Sequence, residues 1–386
     1  MRIRTITTGI SLQSPKDEDK IKQAAEFNHK AKDFLERYGY EVQETRIATN
    51  SWENYLQGLS TAEIVSEIQR TERACQSLDV SCFNIGYASD PEKMAIIPEI
   101  NRNTEIIYCS SKVGDSENGI DFGNIKASAK VIKRISQETE NGYGNFRFCA
   151  WANCEPGIPF FPAGYHEGET AFAIGLECSD LAMKAFSESS NLVEAERNLK
   201  SIFEEELKRV EDFAQRIVGN GFIPSHHIKY GGIDSSLAPS LDASESIAFA
   251  YEKLGFGRFG DQGTLTISSI ITRVLKTLSV KTCGYSGLML PVCEDFGLAQ
   301  RANERTYGLT NLLLYSAICG CGLDTVPIPG DVTVQKVEAI LLDVATLAVK
   351  LDKPLSARLL PVPGKKAGEM TAFNSPFLVD CRILEV

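Results

Sequence analysis

Met1-Arg2-Ile3-Arg4-Thr5-Ile6-Thr7-Thr8-Gly9-Ile10 alternates polar and apolar residues, the period-two signature of a half-buried strand. Over residues 17–37 the period changes, with Ile21, Ala24, Ala25, Ala31, Phe34 and Leu35 recurring at helical spacing. Tyr40-Glu41-Val42-Gln43-Glu44-Thr45-Arg46-Ile47 returns to an extended pattern. Strand, helix, strand at this spacing is the unit from which parallel sheets are built. Working outward, the same alternation predicts a helix over 61–78, extended chain over 80–85 and a helix opened by Asp90-Pro91. A short buried strand follows at Ile106-Ile107-Tyr108-Cys109, then a helix over 124–138 and a strand over 146–151.

The long amphipathic stretch 191–218 carries one apolar stripe, through Leu192, Ala195, Leu199, Phe203, Leu207, Val210, Ala214 and Ile217. Gly219-Asn220-Gly221 is expected to end it as a left-handed cap. Further helices are expected over 264–278 and 334–351, with closing strands near 356–360 and 377–384. Neither an internal repeat nor a Pro/Ser/Gly-rich linker interrupts the chain, which reads as a single α/β domain over 1–386. A chain of this length buries roughly three quarters of its unfolded surface and needs no disulfide or metal staple to fold.

Against 40 Lys and Arg stand 51 Asp and Glu, a net charge of −11. That balance argues against DNA, RNA or anionic membranes as partners, because each requires a basic footprint. No apolar run reaches the length of a membrane span, and the N-terminal stretch lacks a signal peptide's continuous apolar segment. The eleven cysteines are scattered and odd in number, so most are expected to be small core residues in a cytoplasmic protein.

Chemistry-bearing residues crowd between 153 and 331. In 153–169, three prolines and three glycines frame Asn153 and His166, the latter beside Glu167 and Glu169. A histidine among carboxylates can relay protons or bind metal, or can simply be a loop residue held by an acid. Gly231-Gly232-Ile233-Asp234-Ser235-Ser236 follows a strand expected at 227–230, where Asp234 either serves a site at the sheet's open edge or organises the turn. Gly260-Asp261-Gln262-Gly263-Thr264 opens a helix whose free amides can hold an anion, or which is only capped there; it matches no nucleotide-binding fingerprint. Cys283-Gly284-Tyr285-Ser286-Gly287 leads through Pro291 to Glu294 and Asp295, which either coordinate a cation or cap a helix. Cys319-Gly320-Cys321-Gly322 precedes Asp324, Pro327, Pro329 and Asp331; a lone Cys-x-Cys is a poor zinc signal, because structural sites need four ligands.

Several of these motifs are shared with a known family. Arg4-Thr5-Ile6-Thr7 with Gly9-Ile10-Ser11 resembles the opening of an uncharacterised prokaryotic family, domain-of-unknown-function family 711. So do Ile233-Asp234-Ser235-Ser236-Leu237-Ala238-Pro239, the stretch from Ser286-Gly287 to Glu294-Asp295, and that from Cys319 to Ile328-Pro329. The resemblance runs over nearly the whole chain, which stops sooner after its last helix than longer members do. It implies a pyruvate formate-lyase-like fold, a ten-strand α/β barrel of two half-sheets wrapped by helices, and no established reaction. That fold's best-known members use a glycyl radical near the C-terminus. Here Pro361-Val362-Pro363-Gly364-Lys365-Lys366-Ala367-Gly368-Glu369-Met370 lacks the Arg-Val-x-Gly context of a radical glycine, so no glycyl radical is expected.

The resulting expectation is a non-radical enzyme that binds a small polar or anionic metabolite inside the barrel, with a non-catalytic metabolite-binding regulator as the alternative. His166, Asp234, Glu294 and Asp324 are the expected catalytic acids and bases. Asn153, Ser236, Gly263, Thr264 and Ser286 are expected to touch substrate, and Asp295 and Asp331 to hold Mg²⁺ or Ca²⁺. His166, Asp234, Glu294, Asp324 and Asp331 should then face one cavity. The partner is a small-molecule ligand rather than nucleic acid or membrane, and a homo-oligomer is compatible with the sequence.

Overall fold

Segments that alternate in period along the chain become neighbours in one sheet. The structure, a computed structural model, describes residues 1–219 and 228–386. Its strands are β1 (Arg2–Ile10), β2 (Val42–Thr49), β3 (Cys82–Ala88), β4 (Ile107–Asp115), β5 (Gly119–Ile120), β6 (Phe148–Ala152), β7 (Ala171–Glu177), β8 (Lys229–Asp234), β9 (Gly322–Pro329) and β10 (Leu355–Val362). They form one ten-stranded sheet in the order β8-β7-β1-β2-β3-β4-β6-β10-β9, with the short β5 pairing to β4.

The sheet has a central parallel block flanked by two parallel pairs that run the opposite way. Strands β1, β2, β3, β4 and β6 run parallel. So do β7 with β8, and β9 with β10. The blocks join through antiparallel pairs, β1 with β7 and β6 with β10. Parallel neighbours need crossovers, and helices such as Glu18–Arg37, Thr61–Ser77, Phe122–Glu138 and Val334–Leu351 supply them. Thr61–Ser77 starts where the sequence chemistry says it should: Ser60 accepts from the Glu63 amide and Glu63 reaches back to the Ser60 amide.

Both sheet faces are covered, by different material. The helices bury the larger core, with Ile3, Leu35, Phe83, Leu176, Ile328 and Leu360 at its centre. The opposite face carries a smaller cluster that includes Cys149, Trp151, Tyr165, Tyr285, Met289 and Cys321. The β6–β7 loop fills that face. Thr7 Oγ1 donates to the Pro159 carbonyl at 2.9 Å and Asn84 Nδ2 to that of Pro162 at 2.7 Å. Tyr165 stacks on Trp151 with centroids 5.5 Å apart.

Between the outer strands lies an extended segment. Cys283 N donates to Ile233 O at 3.0 Å and Met289 N to Leu237 O at 3.3 Å, on the β8 side. Val292 N donates to Asp324 O of β9 at 3.1 Å. Parallel bridges Ile233–Thr282, Leu237–Leu288 and Pro291–Asp324 mark the same path.

The strand expected near 377–384 is corrected: only a single antiparallel bridge forms there, Met370 with Arg382, because the alternating residues find no full partner strand. The strand expected from 146 begins at Phe148, after a 3-10 turn, Glu140–Arg147. The long helix runs Leu192–Gly219, while Asn220 and Gly221 of the expected cap, and His227 of the expected strand, lie outside the described residues. Among the described residues no helix is long and apolar enough to cross a membrane.

Candidate functional site

Arg358 sits within β10 and is 6 % exposed. A guanidinium cannot shed its charge at such a position, so it must find anions. Nε donates to Asp324 Oδ1 and Nη2 to Glu294 Oε1, each at 2.6 Å. The guanidinium also lies 4.9 Å from the Phe146 ring centre. Asp324 comes from β9, and the Pro291–Asp324 bridge delivers Glu294, thirty residues earlier in the chain, to the same arginine. Burial pushes the Glu294 carboxyl above its ordinary range, and the Arg358 charge pulls it back only in part. Burial also works against Arg358, but Asp324 and Glu294 outweigh it and hold the guanidinium firmly charged. Each acid spends one oxygen on Arg358. Among the described residues, Glu294 Oε2 and Asp324 Oδ2 make no hydrogen bond.

These groups line a cavity of about 60 Å³. Other walls carry Arg4 of β1, Arg46 of β2, Tyr108 of β4 and Tyr285. Arg46 is 9 % exposed; its Nε and Nη2 donate to Glu44 at 3.0 and 2.8 Å. Among the described residues Arg46 Nη1 makes no hydrogen bond, and the guanidinium lies 5.3 Å from the Phe161 ring centre. Arg4 Nη1 donates to Glu177 at 3.0 Å and Gln43 at 3.2 Å. Tyr285 donates its hydroxyl to Ser356 Oγ at 2.9 Å. Burial raises the Tyr108 and Tyr285 phenols far above their usual range, so both remain protonated donors.

Of the five residues expected to share one cavity, only Glu294 and Asp324 do so. Asp234 is fully buried and faces no open space: it accepts from the amides of Ser236, Tyr285 and Ser286 at 3.0, 2.9 and 2.9 Å and from the Ser236 hydroxyl. Burial raises its carboxyl, and those donors pull it back incompletely. His166 lines a separate cavity with Thr7, Gly9 and Cys283. Its Nε2 donates to the Glu169 carbonyl at 2.9 Å, and its ring lies where a Gly9 Cβ would approach Nδ1 to 2.2 Å. Burial lowers its pKa and favours the neutral ring. Asp331 is exposed, in a groove beside Lys336 and Glu385.

The other expected contacts have local partners. Asp295 is the N-cap of helix Phe296–Asn303, accepting from Leu298 N at 2.9 Å, and also takes Ser246 Oγ at 2.6 Å and Ile247 N at 2.7 Å. Burial raises its carboxyl too. Asp295 and Asp331 therefore do not come together, and among the described residues no three His, Cys, Asp or Glu side chains are placed to hold a metal. Ser236 and Ser286 belong to the Asp234 network. Asn153, at φ 58°, ties down Ser116 and the Ala348 carbonyl. Gly263, at φ 101°, begins helix Thr264–Lys276, and Thr264 Oγ1 donates to Asp261 O at 2.8 Å.

Arg358, Arg46 and Arg4 were missed as site residues. Their signal is present in the sequence: each is a charge inside a strand pattern, as in Leu355-Ser356-Ala357-Arg358-Leu359-Leu360. Which face such a charge occupies, and what neutralises it, is written only in strand order. Cys319 is also unusual. A hydrogen bond from Cys321 and the nearby Lys353 charge bring its thiol down to about 6 against the effect of burial.

Comparison with known proteins gives a consistent answer. A UPF0210 protein of Neisseria gonorrhoeae is 27 % identical over 402 residues, covering 96 % of this chain and 88 % of its own. One from Lactobacillus helveticus is 27 % identical over 405 residues, covering 97 % and 89 %. Another, from Ligilactobacillus salivarius, is 26 % identical over 402 residues, covering 96 % and 88 %. The model of the family described as "Uncharacterised ACR (DUF711)" matches residues 1–374. With that match over nearly its whole length, the chain belongs to the uncharacterised family DUF711.

Proposed function

We propose that the chain is an enzyme acting on a small polar molecule held in the Arg358 cavity, with Glu294 and Asp324 as its acid–base pair. One observation carries this reading: a buried carboxyl, Glu294, and a half-buried one, Asp324, share a single arginine, and each keeps an unbonded oxygen at the cavity. Carboxylates crowded together resist ionising at once, so one of such a pair tends to keep a proton. Burial raises Glu294, which makes it the donor, and Asp324 is the acceptor. Arg358 holds both in register and stabilises negative charge developing on the reacting molecule.

The enclosure of this cavity is read here as a pyruvate formate-lyase-like barrel. A central parallel block between two oppositely directed pairs, with the 282–291 segment bonded towards both outer strands, supports that reading. Arg358 supplies the positive charge a cation would otherwise bring, so the chemistry does not depend on Mg²⁺ or Ca²⁺.

The test begins with mass spectrometry of small molecules and metals that copurify with the native protein. Turnover of the identified molecule is then measured with and without added Mg²⁺ or Ca²⁺, in the parent protein and in the Glu294→Gln and Asp324→Asn variants. Loss of a positioned acid or base should lower kcat by about 100-fold or more. Saturable binding without product would make the protein a metabolite-binding regulator, and unchanged turnover in both variants would remove the acid–base assignment.

A further inference from the structure

The two sides of the cavity are served unevenly. At Arg358 one guanidinium meets two acids, Glu294 and Asp324, and each keeps one oxygen without a hydrogen bond. The opposite wall has the reverse need. Arg46, nine-tenths buried, spends Nε and Nη2 on Glu44 and leaves the Nη1 donors unmet at the cavity. The walls are near enough that the Arg4 and Arg46 charges act on Glu294.

We infer that the molecule bound there is a dipole of the amino-acid class, its ammonium against Glu294 and Asp324 and its carboxylate against Arg46. This rests on the Arg358 cavity being the ligand site. An ammonium has three donors and no acceptor, which suits two unbonded carboxylate oxygens; a carboxylate has acceptors only, which suits Nη1. A dicarboxylate would set a second anion against Glu294 and Asp324, and a simple amine would leave the Arg46 donors unanswered. Met289, Phe160 and Ala238 border the space between and offer an apolar wall to a short side chain.

Isothermal titration of the full chain tests this with glycine, L-alanine, L-serine and L-aspartate. Lactate replaces the amine by a hydroxyl, ethylamine removes the carboxylate, and succinate replaces the dipole by a dianion. At least one amino acid should bind at least about tenfold tighter than all three counterparts, a difference of about 1.4 kcal/mol. Asp324→Asn and Glu294→Gln, both isosteric, should each weaken the amino acid about tenfold and leave lactate within about twofold. Arg46→Lys, checked for folding by its melting curve, should weaken the amino acid and leave ethylamine unchanged. Lactate or succinate binding as tightly as every amino acid overturns the dipole while leaving the cavity as a ligand site. No binding of any probe overturns the dipole and the ligand site together.

Discussion

Asp234 and the Glu294–Asp324 pair begin alike, as acids beside a strand and deep in the molecule, and end differently. Asp234 meets three backbone amides and a hydroxyl, and a Cβ added at Gly284 would come within 2.1 Å of its Oδ2. Its lone pairs are spoken for and its surroundings are closed. Glu294 and Asp324 meet one guanidinium, and their remaining oxygens face a cavity. The difference teaches that depth does not separate a structural acid from a chemical one. What separates them is whether the fold supplies donors for every oxygen. A fully satisfied carboxylate pins loops together; a half-satisfied one beside open space is available to a ligand.

Substitutions can break this contrast, and the largest effect is expected at Arg358. Arg358→Leu leaves buried Glu294 and half-buried Asp324 without their cation and should cost about 3–5 kcal/mol of stability, read from denaturant unfolding. A loss below about 1 kcal/mol would mean that the pair is solvated by other means. Asp234→Ala strands several buried donors and should cost about 2–4 kcal/mol, with no recovery on adding any ligand of the Arg358 cavity. Gly284→Ala forces a methyl group against Asp234 at φ +63° and should cost about 1–3 kcal/mol. An unaltered melting temperature in that variant would show the Asp234 pocket to be open after all.

The pH response sharpens the contrast further. Glu294 is raised above its ordinary 4.5, so between that value and its folded value the native state binds more protons than the unfolded one. Its stabilising contribution is therefore complete below about 4.5 and is lost as pH rises through the folded value. Glu294→Gln cannot ionise, so its melting temperature should gain on the parent's as pH rises through that window. A constant offset between the two curves would mean that the carboxyl is not raised. The smallest effect belongs to Tyr108→Phe, at the cavity wall, where the lost hydroxyl adjoins the Cys82 thiol. It should change stability by less than about 0.5 kcal/mol while altering ligand affinity.

Much of the fold was legible in the residue pattern. Strand β1, helix Glu18–Arg37 and strand β2 follow from the change of period over the first fifty residues, and Val334–Leu351 matches its expected bounds. Local periodicity reports which side of an element is apolar, and that preference survives folding. The 377–384 stretch shows the limit: it alternates like a strand yet forms a single bridge and no strand, because a strand is completed by its neighbour. For the site, Glu294 and Asp324 were legible as acids at segment ends. Asp234 and Asp295 share that description, and nothing along the chain separates them, because two of the four donors that occupy Asp234 come from about fifty residues away.

By itself the sequence determined the alternating α/β character, the net negative charge and the family, since each depends on composition, local period or motif order. Only tertiary structure decided the order of the strands, the two antiparallel joins of the central block to its flanking pairs and the meeting of Arg358 with Glu294 and Asp324. The physical reason is that pairing and charge neutralisation act between groups far apart in the chain. An arginine in a strand states that a counter-ion is needed, and strand order alone states which acids answer it.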